Sequence, residues 1–105
     1  MLVVNRFRAI EGDAGTLRAD LEQVHVLLAS KPGYVDGALG RNLDEPDLWV
    51  LTTRWDNVGA YRRALSSYEL KMYGVPVLSR AIDEPGAYEL VEPSTVLNVA
   101  ESRIT

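Results

Sequence analysis

The sequence predicts an α+β domain: a four-stranded antiparallel sheet with helices against one face, in ferredoxin-like βαββαβ order. Three observations lead to it. Apolar and polar residues alternate with a period of two at the start of the chain and across two neighbouring segments in its middle. Two other stretches repeat apolar residues at helical spacing, and clusters of Gly, Pro and Asp separate the segments. The resulting order, strand, helix, strand, strand, helix, strand, is the split βαβ arrangement.

In the first strand, Leu2 to Ile10, Val3, Asn5, Phe7 and Ala9 share one face and Leu2, Val4, Arg6, Arg8 and Ile10 the other. Glu11, Gly12 and Asp13 form a turn whose acids suit a helix N-terminus, and Leu17, Leu21, Val24 and Leu28 follow at spacings that make an amphipathic helix of about four turns. Pro32 and Gly33 end it, since proline cannot continue the hydrogen-bond ladder and glycine permits the turn. Tyr34 to Asn42 and Leu48 to Trp55 are extended, and the polar, proline-containing segment between them reads as a hairpin loop, so the two strands pair antiparallel. On the second, Trp49, Leu51, Thr53 and Trp55 share a face opposite Leu48, Val50, Thr52 and Arg54; alternation alone leaves open which face meets the helices. Asn57 is a suitable N-cap for a helix whose apolar stripe is Ala60, Tyr61, Ala64, Leu65 and Tyr68. Val75, Leu78 and Ile82 suggest a further short helix, Glu84 to Gly86 a turn, and Ala87 to Val91 the last strand. Residues 1–92 thus form one domain, and residues 93–105 form a C-terminal arm that packs on a neighbour or a mobile tail.

At 105 residues a second domain has no room, and nearly half the residues are apolar, as in ordinary globular proteins. A net charge of -4 with scattered Arg residues argues against a nucleic-acid partner. The absence of cysteine removes disulfides, thiolate nucleophiles and Cys-ligated metal clusters, and is compatible with a cytoplasmic location. The opening segment is interrupted by Asn5, Arg6 and Arg8, which favours a strand over a signal peptide, and no apolar run approaches a membrane span. Apolar residues on both faces of the first and third strands imply that a second copy covers the sheet face that lacks helices, making a homodimer through the sheets.

Three segments resemble the antibiotic biosynthesis monooxygenase family: VVNRFRA in the first strand, KPGYVDGALGRN after the first helix, and LWVLTTRWDNVGAYRRAL across the third strand and second helix. The resemblance covers roughly the first four-fifths of the chain and implies a dimeric α/β barrel with a pocket in each subunit between sheet and helices. It also implies a choice between cofactor-free oxygenases acting on polycyclic phenols or quinols and haem-degrading enzymes. The haem-degrading branch is characterised by an Asn on the first strand, a Trp ending the third, and a His on the second helix. Asn5 and Trp55 match the first two, but the segment from Tyr68 to Gly74 holds no histidine, so the axial donor that haem iron needs is missing. The expectation is therefore a cofactor-independent monooxygenase without haem, flavin or metal, acting on an aromatic phenol or quinol. The alternative is a non-catalytic small-molecule-binding or accessory dimeric domain.

Without a cofactor the substrate must itself give an electron to oxygen, and the protein contributes binding, deprotonation and exclusion of water. The residues that carry such chemistry are Asn5, as an amide donor to a substrate oxygen; Trp55, as an aromatic wall and indole N–H donor; and His25, the sole histidine, as a base. Phe7, Tyr61, Tyr68 and Tyr73 are the expected pocket walls. Each also has a structural explanation: Asn5 bonded to neighbouring backbone, Trp55 in the core, His25 at the solvent border, and the tyrosines packing their helix.

Overall fold

The computed structural model describes residues 1–97. Its elements are β1 (Leu2–Arg8), α1 (Ala14–Ala29), β2 (Tyr34–Arg41), β3 (Leu48–Trp55), α2 (Val58–Leu65), α3 (Val75–Leu78) and β4 (Ala87–Tyr88). The sheet runs β2-β3-β1-β4 with every pair antiparallel, which is the ferredoxin-like order the sequence predicts.

Burial follows the side-chain periods. Leu17, Leu21, Val24 and Leu28 of α1 are all buried, and they meet Val3 and Phe7 of β1 and Trp49, Leu51 and Trp55 of β3. The face of β3 left undecided by alternation is thereby settled: Trp49, Leu51, Thr53 and Trp55 face the helices, while Val50, Thr52 and Arg54 face outward. On the outer face Leu2, Val4 and Val50 are half-buried, and ion pairs surround them: Arg6 with Glu84 at 2.6 Å, Arg8 with Asp47 at 2.8 Å, and Arg54 Nε with Asp36 Oδ1 at 2.7 Å.

The acids before α1 act differently from the sequence expectation. Asp13 stands at the N-cap without a side-chain capping bond, and its carboxylate instead accepts from Arg80 at 3.0 Å, tying the chain after α3 to the start of α1. Asn57 does cap α2, accepting from the Ala60 N–H at 2.8 Å. The apolar stripe of α2 ends sooner than its spacing suggests. The helix stops at Leu65, the Ser66 and Ser67 hydroxyls bond back to the Arg62 and Ala64 carbonyls, and Leu70–Gly74 forms a π-helical turn. That break takes Tyr68 off the buried face and leaves it 69% exposed. The last strand is also shorter than Ala87–Val91: two residues pair with Val3 and Leu2, and Leu90 and Val91 are exposed. Of the C-terminal segment, a Thr95 N–H bond to Glu92 makes a turn and Val96 is exposed; residues 98–105 lie outside the described residues.

Candidate functional site

The candidate site is assembled where β1, the end of β3 and α2 converge. Trp55, the last residue of β3, is 2% exposed, and its indole N–H donates to the Thr53 hydroxyl at 2.8 Å. Since Thr53 and Trp55 are two apart on one strand, they share a face, and the bond satisfies the indole donor within the core. The N–H is therefore committed, and the Trp55 ring itself is packed in the core cluster, with no cavity among the described residues opening onto it.

Two tyrosines pack against that ring. Tyr61, in the second turn of α2, lies 5.5 Å from Trp55 between ring centroids, tilted by 54°. Tyr34, the first residue of β2 and the register partner of Trp55, lies 5.5 Å away edge-to-face. One turn sets both contacts. Gly33 adopts φ +89, a left-handed conformation open to glycine, and a methyl group there would stand 2.4 Å from the Ala60 methyl. Gly33 precedes Tyr34 and Ala60 precedes Tyr61, so this close approach fixes the separation of the two tyrosines across Trp55.

Asn5 faces the helices from the middle of β1. A methyl group on Gly86 would lie 3.1 Å from Asn5 Oδ1 and 2.9 Å from the Val4 carbonyl oxygen, so the amide sits where the chain approaching β4 closes on β1. Burial raises the pKa of the Tyr61 phenol, and the adjacent Asn5 amide acts against that rise. Asn5, Tyr61 and Trp55 thus form a group with one amide, one neutral phenol and one indole ring. Between α2 and β4 lies an open groove of about 440 Å³ lined by Met1, Asn57, Val58, Arg62, Tyr88 and Leu90 among others; Asn5, Tyr61 and Trp55 are not part of its lining.

His25 packs against Tyr34, with ring centroids 6.0 Å apart. Its Nε2 is 2.7 Å from the Tyr34 hydroxyl, in a space kept open by Gly37, where a methyl group would meet Thr52 O at 2.5 Å and both partners of the pair within 2.9 Å. Burial first, then the charge of Asp36, raises the Tyr34 pKa.

Three expected pocket residues stand elsewhere. Phe7 is 1% exposed and belongs to the packed core, filling space rather than lining it. Tyr68 and Tyr73 are turned out to solvent by the break after α2 and the π-helical turn, with Tyr73 56% exposed. Tyr34, conversely, was not anticipated. Its signal was available: an aromatic residue directly after a Pro-Gly turn, opening a strand whose antiparallel partner ends in tryptophan. Among the described residues no group of three or more His, Asp or Glu is placed to hold a metal ion.

Comparison with solved structures reproduces the fold. A Deinococcus radiodurans protein described as an antibiotic biosynthesis monooxygenase candidate aligns with a TM-score of 0.72 at 20% identity, over 93% of this chain and 100% of its own. SnoaB, a cofactor-independent oxygenase from Streptomyces nogalater, aligns with a TM-score of 0.72 at 22% identity, over 87% and 92%. Rv0793 from Mycobacterium tuberculosis aligns with a TM-score of 0.68 at 23% identity, over 89% and 97%. None of the curated proteins compared matches the chain. The model of the family described as antibiotic biosynthesis monooxygenase matches residues 1–73, which include β1, Trp55 and Tyr61, and the chain accordingly belongs to that family.

Proposed function

We propose that this domain is a cofactor-independent monooxygenase that oxidises an electron-rich aromatic phenol or quinol beside Asn5, Tyr61 and Trp55. The observation that carries the reading is the convergence of these three side chains from β1, α2 and β3, next to a cavity large enough for a small planar molecule. The likeness to SnoaB, itself a cofactor-independent oxygenase, supports the same reaction class.

In this reading the substrate enters along the α2–β4 groove, and the packing around the buried Trp55 opens for its ring to reach Asn5 and Tyr61. The Asn5 amide donates to the substrate oxygen and favours its deprotonated form, from which an electron passes to dioxygen. Tyr61, kept neutral by its raised pKa, is a second donor for oxygen-centred charge. For an activated ring methylene, two hydrogens leave, one oxygen atom becomes the new carbonyl and the other departs as water. The apolar part of the groove, Met1, Val58 and Leu90, suits an aromatic ring. Two chains pair through their outer sheet faces, covering Leu2, Val4 and Val50, while the ion pairs around them orient the contact.

Aerobic incubation with anthrone-type and hydroquinone-type compounds tests the reading. Oxygen uptake with quinone formation, lost in Asn5→Ala while the fold persists, is the expected result. Binding of the panel without any product would establish the non-catalytic alternative instead.

A further inference from the structure

The groove between α2 and β4 combines apolar walls with an arginine that no acid of the chain holds. We propose that Arg62 makes this groove selective for an aromatic carboxylate, which lays its ring on Val58, Tyr88 and Leu90 and its charged group on the guanidinium. The inference names the charge of the ligand, and it rests on the proposed oxygenase reading only for the groove's role as the substrate's entrance; its test requires no turnover.

The volume of about 440 Å³ is that of a small-molecule site, and Val58, Tyr88 and Leu90 are large apolar side chains that remain exposed along it. Arg62 stands one turn after Val58 on α2, so the two project from the same face of the helix. Arg6, Arg8, Arg18, Arg54 and Arg80 are each held by a carboxylate, whereas Arg62 makes no ion pair among the described residues. Its fork of N–H donors is uncommitted and matches the two oxygens of a carboxylate. Asn57 adds a donor on the same wall: its side-chain oxygen accepts the Ala60 N–H at 2.8 Å, which leaves the amide NH2 for the ligand. No acid stands in the first turn of α2 to compete for these donors.

Glu89, on the β4 wall, is the one acid among the lining residues, and it sets the ligand's direction. A bound carboxylate lies toward α2, where Arg62 and Asn57 donate to it, and turns its hydrocarbon edge toward Glu89. An uncharged ring of the same shape makes the same apolar contacts and gains nothing from the guanidinium. Arg62 therefore separates acids from neutral aromatics, while Val58, Tyr88 and Leu90 bind both.

Titration of the full chain with naphthoate and with uncharged naphthamide, by calorimetry and by nuclear magnetic resonance, tests the site. Neither compound carries a phenol, so the result is independent of whether the protein oxidises one. Naphthoate should bind about two- to fivefold more tightly, the range of a solvent-exposed ion pair, with the preference fading at high salt and the Val58 and Leu90 methyl signals moving on binding. Arg62→Gln, at an exposed position, should erase the preference and leave naphthamide binding unchanged; Arg62→Lys should keep part of it, and Glu89→Gln should tighten naphthoate alone. Equal affinities for the two compounds, a preference that survives Arg62→Gln, or naphthoate binding that leaves Val58 and Leu90 unmoved would overturn the proposal. Movement of those methyl signals with protein concentration alone would assign the groove to a second copy of the chain and overturn it as well. Naphthoate selectivity lost in Arg62→Gln, together with no oxidation of any phenol, would retain this site and discard the oxygenase reading.

Discussion

Gly33→Ala perturbs the contact that spaces the two tyrosines around Trp55, and its cost has two separable parts. The first is conformational: at φ +89 an alanine Cβ crowds its own backbone, at about 1–2 kcal/mol. The second is steric. The new methyl would stand 2.4 Å from the buried Ala60 methyl, well inside van der Waals contact, and relieving such an overlap costs about 1–3 kcal/mol. Together they predict a loss of roughly 2–5 kcal/mol, and for a domain of this size each kcal/mol lowers the midpoint by about 4–8 °C. Ala60→Gly alone costs about 1 kcal/mol in helix propensity. Combined with Gly33→Ala it should restore the steric part and leave the conformational part, giving a favourable coupling of about 1–3 kcal/mol. Thermal unfolding followed by circular dichroism measures all four corners of the cycle. A Gly33→Ala loss below about 0.5 kcal/mol, or a coupling near zero, would refute the reasoning that this approach fixes the site.

Thr53→Val leaves the Trp55 indole N–H buried without a partner and should cost about 1–3 kcal/mol in chemical denaturation, with a shift in tryptophan emission. Tyr68→Ala and Tyr73→Ala, both at exposed positions, should change stability by no more than about 0.5 kcal/mol in the same assay. Side-chain bonds from Arg54, Arg8 and Arg6 hold Asp36, Asp47 and Glu84 below the usual carboxylate range. Their stabilising contribution is therefore complete above about pH 5 and disappears as pH falls through the lower folded-state values; salt should flatten that part of an acid-denaturation curve. Burial raises Tyr34 and Tyr61, so their contribution runs the other way: present below about pH 10 and lost as pH rises through the folded-state values. Spectrophotometric titration should show a late-ionising tyrosine phase that shrinks in Tyr61→Phe.

The strong periodicities of the chain were legible because burial followed them without competition. Leu17, Leu21, Val24 and Leu28 are the residues α1 buries, and Asn57 caps α2 as its side chain suggests. The orientation of β3 was not legible, because apolar residues occupy both of its faces; the cross-strand pairs Val3 with Thr53 and Phe7 with Trp49 decide it. Tyr68 continued the helical spacing of α2 on paper, but the Ser66 and Ser67 hydroxyls compete for helix carbonyls and interrupt the phase. Of the site, Asn5 and Trp55 could be named from what the family resemblance implies, and Tyr61 from helix spacing. Tyr34 was signalled by its position after the Pro-Gly turn, but its place beside Trp55 depends on antiparallel register and its tie to His25 on the missing side chain at Gly37. Both are properties of paired strands, which no single segment displays.

The central claim is that an aromatic phenol binds against Asn5, Tyr61 and Trp55, and side-chain chemical-shift mapping by nuclear magnetic resonance tests it most directly. During anaerobic titration with a naphthol, the account predicts that the Asn5 amide and the Trp55 and Tyr61 ring signals move together in one saturable transition. Shifts confined to Met1, Val58, Tyr88 and Leu90, with the Asn5 and Trp55 signals unmoved, would place the ligand in the neighbouring cavity alone and contradict it.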